Sequence, residues 1–327
     1  MKFLAFLLVL ILIAAGLVGF FVYVPYGPGT ETFVDIAPGT GTVGIADQLQ
    51  REGIIRSKYA FEAVKEWKQG SLKAGEYRFD HAVRLTEVYA RLVKGDVYTR
   101  TVVIPEGFNI FDIAQAIQAA GLGADSGGAQ GFLKAETFHV ELIRQWNPTA
   151  SSLEGYLFPD TYKFGRHATA LQMLTVMVKR FGQMAERLGM TGTDVAREVT
   201  MASLVEREVR VDAERPEVAS VFENRLAAGM PLQTDPAVVY ASMLRGTWTG
   251  VIHQSELHSD SPYNTYAHSG LPPGPICNPG VAALKAAIKP AQTNYLYFVA
   301  DANGASKFAS TLEEHNQNVA AYRTASK

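Results

Sequence analysis

The stretch "DIAPGTGTVGIADQLQREGII" (35–55) reads as a strand end, a glycine turn, and a helix with Ile45, Ala46 and Leu49 on one face. Gly53 follows at once, where a helix that stops in a left-handed residue places glycine. The pattern returns 68 residues later in "VIPEGFNIFDIAQAIQAAGL" (103–122). There Gly107 matches Gly39, Ile113 and Ala114 match Ile45 and Ala46, Ile117 matches Leu49, and Gly121 matches Gly53. Each copy is later followed by a glycine and an aromatic segment read as a strand, "AGEYRF" (74–79) and "LEGYLFPDTYKF" (153–164). Two copies imply one small α+β unit used twice, because a solenoid needs more repeats to bury a continuous core.

Upstream of the first copy, Phe3 to Val24 carries no charge and no strongly polar side chain. At about 1.5 Å per residue it is long enough to cross a hydrocarbon core of about 30 Å. A cleaved signal peptide is the rival, but more apolar sequence follows "AAG" at 14–16, so an uncleaved anchor is expected. Lys2 and the terminal amine put the short end, 1–2, in the cytoplasm and the remainder outside. Tyr23 and Tyr26 suit the outer interface, and "PYGPG" (25–29) reads as a stiff, then flexible exit.

The module that follows, 25–97 and linked through "VKGDVY", opens with "PGT…IA" and resembles LysM domains, which bind N-acetylglucosamine polymers. A purely structural spacer is the competing reading. From 98 to 327 the chain is helix-rich between about 168 and 228. It closes in "NYLYFVADANGASKFASTLEEHN" (294–316), read as strand, Asn-Gly turn, strand and helix. Between them, 232–280 is dense in Pro, Gly, Asn and Tyr and reads as a long irregular stretch, a feature usually tied to function when it is ordered. The fold class is therefore α+β: an N-terminal transmembrane helix (3–24), a small module, and a larger domain with a helix-rich core.

Composition excludes several functions. The 327 residues are 47% hydrophobic and 19% charged with a formal net charge of −2, so no basic stripe invites nucleic acid. The single cysteine, Cys277, rules out an intramolecular disulfide and a multi-Cys zinc site, and packs as an inert thiol. His253, His258 and His268 lack the H-E-x-x-H spacing, and no G-x-S-x-G elbow or phosphate loop is present. Neither metal nor cofactor is expected.

Within "ASLVEREV" (202–209), Val195, Val199, Ala202, Val205 and Val209 define one helical face. At about 100° per residue Glu206 falls about 55° from its centre and Glu208 about 105° away. Glu206 is thus expected to point inward or onto a cleft wall, and Glu208 towards solvent. An inward carboxyl either has a raised pKa and serves as a general acid, or is paired with an arginine such as Arg225. Glu198 also lies on the face, so periodicity does not choose among them.

Five ordered motifs resemble the YceG-like family of endolytic murein transglycosylases: "SLEGYLFPDTY" (152–162), "ASLVEREV" (202–209), "VFENRLAAGMPLQTDPAVVY" (221–240), "SPYNTYAHSGLPPGPICNPG" (261–280) and "YLYFVAD" (295–301). The resemblance covers nearly everything from about residue 30 and implies that 98–327 is a catalytic domain. It implies Glu206 as the catalytic acid, with Gln233, Thr234, Asp235, Tyr263, Asn264, Thr265 and Tyr266 in the cleft, and Glu154 is expected to bind substrate with them. Arg207 stands where lysine is common, and His268 in a usually neutral position.

The implied reaction cuts peptidoglycan glycan strands internally. The acid protonates the leaving oxygen, and the muramic sugar's own C6 hydroxyl closes a 1,6-anhydro ring. Gln233, Asn264, Tyr263 and Tyr266 would steady the oxocarbenium-like state. A two-carboxylate hydrolase adding Asp235 or Glu154 is one alternative, and a non-catalytic wall-binding scaffold another. The implied partners are glycan strands, the membrane and peptidoglycan synthases, and the implied location is the cell inner membrane, with the catalytic domain periplasmic.

Overall fold

A computed structural model describes residues 2–209, 211–301 and 305–325. The chain divides into two compact units, residues 1–100 and 101–327. The first holds helix α1 (Lys2–Tyr23), strand β1 (Thr32–Ile36), helices α2 (Thr42–Arg51) and α3 (Lys58–Lys68), strand β2 (Gly75–Phe79) and helix α4 (Leu85–Lys94). Strand β1 pairs antiparallel with β2, from Thr32 opposite Phe79 to Ile36 opposite Gly75. Val34, Ile36, Leu49, Phe61, Tyr77 and Phe79 are buried against one another beneath the helices.

The repeat is real in three dimensions. Strand β3 (Arg100–Ile104) and helix α5 (Ile110–Ala119) repeat β1 and α2 at the same spacing of 68 residues. Both turn glycines are left-handed, Gly39 at φ 84° and Gly107 at φ 80°, as are Gly53 at 72° and Gly121 at 68°. Both helices end alike: Ile54 N–H donates to Leu49 O at 2.8 Å, and Leu122 N–H to Ile117 O at 3.0 Å. That six-to-one bond is the Schellman stop, and it needs the left-handed residue between. Helix α6 (Gly128–Phe138) and strand β4 (Asp160–Phe164), which joins β3 in a two-stranded sheet, complete the second copy.

The copies diverge before their last strand. Residues 153–159 form no strand, contrary to their aromatic pattern. Gly155 sits at φ 87°, Pro159 lacks a donor, and Glu154 is drawn into the interior.

Beyond the repeat come helices α7 (Ala170–Leu188), α8 (Val195–Glu208) and α9 (Arg215–Ala227). The stretch from 232 to 280 is less irregular than its composition implies. It contains α10 (Asp235–Leu244), begun by the Asp-Pro pair in its first turn, and the short α11 (Gln254–Leu257). Helix α12 (Val281–Ile288), the antiparallel strands β5 (Tyr297–Ala300) and β6 (Ser306–Ala309), and helix α13 (Leu312–Ala325) close the unit. The Asn303–Gly304 turn lies outside the described residues.

Helix α8 is central. Its stripe is buried as expected, but so are Thr200, Met201, Ser203 and Leu204, because α9, α10 and α12 pack around it. A helix enclosed on several sides has no single solvent face. Cys277 is buried beneath it, its thiol 3.3 Å from Ser203 O.

Candidate active site

The last turn of α8 carries both glutamates, and they meet different surroundings. Glu206 Oε1 lies 3.0 Å from Arg215 Nη2, with both side chains 6% exposed. Its Oε2 accepts the Gly280 N–H at 2.9 Å, at the start of α12. Glu106 fills the space a side chain at Gly280 would need. Burial and then the neighbouring Glu206 charge raise the Glu106 pKa. The arginine partner foreseen for an inward glutamate therefore exists, but it is Arg215. Arg225 instead donates to Leu296 O at 2.7 Å, Leu232 O at 2.9 Å and Pro231 O at 3.3 Å.

Glu208 lines a pocket of about 270 Å³ with Gln233, Thr234, Asp235 and Tyr266. Arg225 and His315 supply polar groups on its walls, and Phe222, Leu232 and Phe298 the apolar ones. The expectation that Glu208 faces solvent is therefore wrong. The residue keeps some exposure, as one lining an open pocket must, yet protein crowds its carboxyl. Burial first, and then the charge of Asp235, push its pKa up to about 7, against weaker opposite pulls from Arg225 and Arg207.

The pocket rim is built by two stitched loops. Gln233 N–H donates to Thr265 O at 3.0 Å, and Thr234 N–H to Thr265 Oγ1 at 2.9 Å. Gln233 sits at φ 55°, which is costly for a side-chain-bearing residue and marks sites where position matters more than comfort. Its side chain is exposed at the pocket. Tyr266 donates its hydroxyl to Asp235 Oδ1 at 2.7 Å, and burial first, then that bond, raises the phenol pKa.

Four residues expected to bind substrate do not line this pocket. Asn264 is fully buried and donates to Ser259 O at 2.7 Å and Leu257 O at 3.0 Å, so it pins the loop. Thr265 is the buried stitch just described. Tyr263 packs on Tyr240, ring centroids 5.2 Å apart.

Glu154 is 2% exposed, which removes it from any substrate surface. Its carboxyl accepts the first N–H of α5, from Ile110, at 2.9 Å, and Asn278 Nδ2 at 2.8 Å. Burial lifts its pKa to about 8.

The sequence model of the YceG-like family matches residues 34–321. The chain belongs to the YceG-like family. This YceG-like chain is 35% identical to the endolytic murein transglycosylase of Bacillus subtilis (strain 168), over 88% of its own length and 84% of that protein's. It is 30% identical to the endolytic murein transglycosylase of Streptococcus pneumoniae serotype 2 (strain D39 / NCTC 7466), over 97% of the chain but 64% of that relative's length. The chain thus spans under two thirds of the pneumococcal protein. A 2.6 Å crystal structure of a protein described as yceG-like, from Listeria monocytogenes, matches with a TM-score of 0.57 at 33% identity, over 89% of this chain and 99% of that one.

In this YceG-like chain, sequence reasoning overlooked Arg225 as a pocket wall and His315 altogether. The His315 ring stacks on Tyr297 at 5.2 Å, and burial, then Arg225, lowers its pKa. "LEEHN" carried no signal beyond an exposed helix. Glu208 did have one: residues 199–205 hold no charge, which betrays a helix buried all round.

Proposed function

We propose that this YceG-like chain is a membrane-anchored lytic transglycosylase that cuts peptidoglycan strands internally, with Glu208 as its acid. The observation carrying this reading is a carboxyl with a pKa of about 7 in one polar pocket with Gln233, Asp235 and Tyr266. A group half-protonated at neutral pH can donate and then reclaim a proton. The names of the relatives at 30% and 35% identity supply the substrate class.

In the first step Glu208 gives its proton to the glycosidic oxygen as the bond from C1 of N-acetylmuramic acid breaks. In the second, the C6 hydroxyl of the same sugar attacks C1 and its proton returns to Glu208. No water is consumed, and a 1,6-anhydro ring remains. Gln233, Tyr266 and Asp235 are placed to steady the positive charge in between. Glu206, held by Arg215 and Gly280, is a positioning residue that fixes the end of α8.

Helix α1 serves as an uncleaved single-pass anchor in the inner membrane, with the rest of the chain periplasmic. The strand-helix-helix-strand module serves as the LysM-like glycan-binding element, and peptidoglycan synthases are the expected companions.

Asp235 in the same pocket favours one second reading, a hydrolase that uses both carboxylates and water. Mass spectrometry of products from purified murein separates them. The lyase leaves strands ending in 1,6-anhydro-N-acetylmuramic acid, lighter by one water than the reducing ends of a hydrolase. Reducing ends alone overturn the proposal.

A further inference from the structure

An apolar groove of about 490 Å³ runs between the last turns of α1 and one face of α3. Leu17, Val18 and Phe21 form one wall, and Tyr59, Ala63 and Trp67 the other. Tyr59 and Trp67 are each 72% exposed, an unusual degree for two large rings on one helix face.

The junction between these helices is not a loose exit. Val22 is buried in the core of the first unit. Arg56 donates to Val24 O at 2.9 Å and to Pro25 O at 3.3 Å, with its guanidinium 4.6 Å from the Phe20 ring centre and 4.7 Å from that of Tyr26. Tyr26 then bridges to Val83 with N–H to O at 2.9 Å. The flexible exit expected from "PYGPG" is therefore tied down, and α3 keeps a fixed height on α1.

That height follows from helix length. The 22 residues of α1 span about 33 Å, barely more than a hydrocarbon core of about 30 Å. Leu17 lies about 9 Å along the axis below Tyr23, within the segment that must stay in lipid. The α3 wall faces these last turns of α1 and is carried into the outer leaflet with them.

We propose that α3 is seated in the outer leaflet and that a phospholipid acyl chain fills this groove. This rests on the anchor reading of α1. Trp67 and Tyr59 lie at the headgroup boundary, where amphipathic rings settle. The ammonium of Lys68 lies 5.8 Å from the Trp67 ring centre, placing a cation at phosphate level. The first unit is thereby held against the membrane, not suspended above it.

The test is fluorescence of the full chain reconstituted in phosphatidylethanolamine–phosphatidylglycerol vesicles, with and without acyl-chain bromination. Flotation of the vesicles reports the anchor separately. The expected result is co-flotation, with bromolipid quenching that Trp67→Phe largely removes. Co-flotation with equal quenching in the two proteins, or none in either, overturns the lipid-seated groove and leaves the anchor standing. A second protein on the groove gives that second pattern. Failure to float overturns both.

Discussion

Glu206 and Glu208 are two residues apart, and the difference between them is one of partners. Glu206 has an ion pair and a backbone amide. Glu208 has a pocket, and burial raises its pKa to about 7. A free enzyme that needs this carboxyl protonated should lose kcat/KM as pH rises through about 7, a limb that a pH–rate profile of Asp235→Asn would show shifted downward once the neighbouring charge is gone. The same shift acts on stability. A folded-state pKa above the ordinary carboxylate value of 4.5 favours the fold most at low pH, and that contribution is lost as pH climbs from about 4.5 through about 7. Denaturation of Glu208→Gln should therefore match the wild type near pH 4 and exceed it near pH 8. A variant less stable at pH 8 would contradict the assigned burial.

At the scale of elements, the repeat rests on left-handed glycines at helix ends. Gly53→Ala meets no atom within 4 Å, so its whole cost is backbone strain, about 1–2 kcal/mol, measurable by urea melting. Glu154 is the interior counterpart, a carboxyl joining α5 to Asn278. Glu154→Ala strands the Ile110 N–H and the Asn278 amide, at about 1–3 kcal/mol each, while the remaining folded protein should keep its kcat. Loss of kcat with unchanged stability would return Glu154 to the substrate. Strand, turn and helix of each copy were legible because apolar spacing and C-terminal glycines are local signals. The α10 start was hidden in a Pro/Gly-rich composition, although its Asp-Pro opening was in view. The roles of Glu208 and Asn264 were not legible. Asn264 acts on carbonyls of its own irregular loop, Leu257 O and Ser259 O, which leave no periodic signal, and the one-stripe projection of α8 on which the Glu208 expectation rests assumes a solvent side that its neighbours remove.

The whole molecule joins an apolar helix, a small strand-helix-helix-strand unit and a larger unit with the pocket. Removing 25–97 while keeping α1 should weaken retention on insoluble murein more than it slows turnover of bound strands. An unchanged pull-down would make the unit a spacer. Which glutamate of this chain does the chemistry is decided by a paired measurement: turnover of purified murein strands and thermal melting for Glu208→Gln and Glu206→Gln. We predict that Glu208→Gln loses about 10²–10⁴ or more in kcat with its fold intact. Glu206→Gln, by weakening a buried ion pair, should melt earlier yet retain turnover below its melting point. A fully active Glu208→Gln enzyme, or a stable but inactive Glu206→Gln enzyme, would contradict the account.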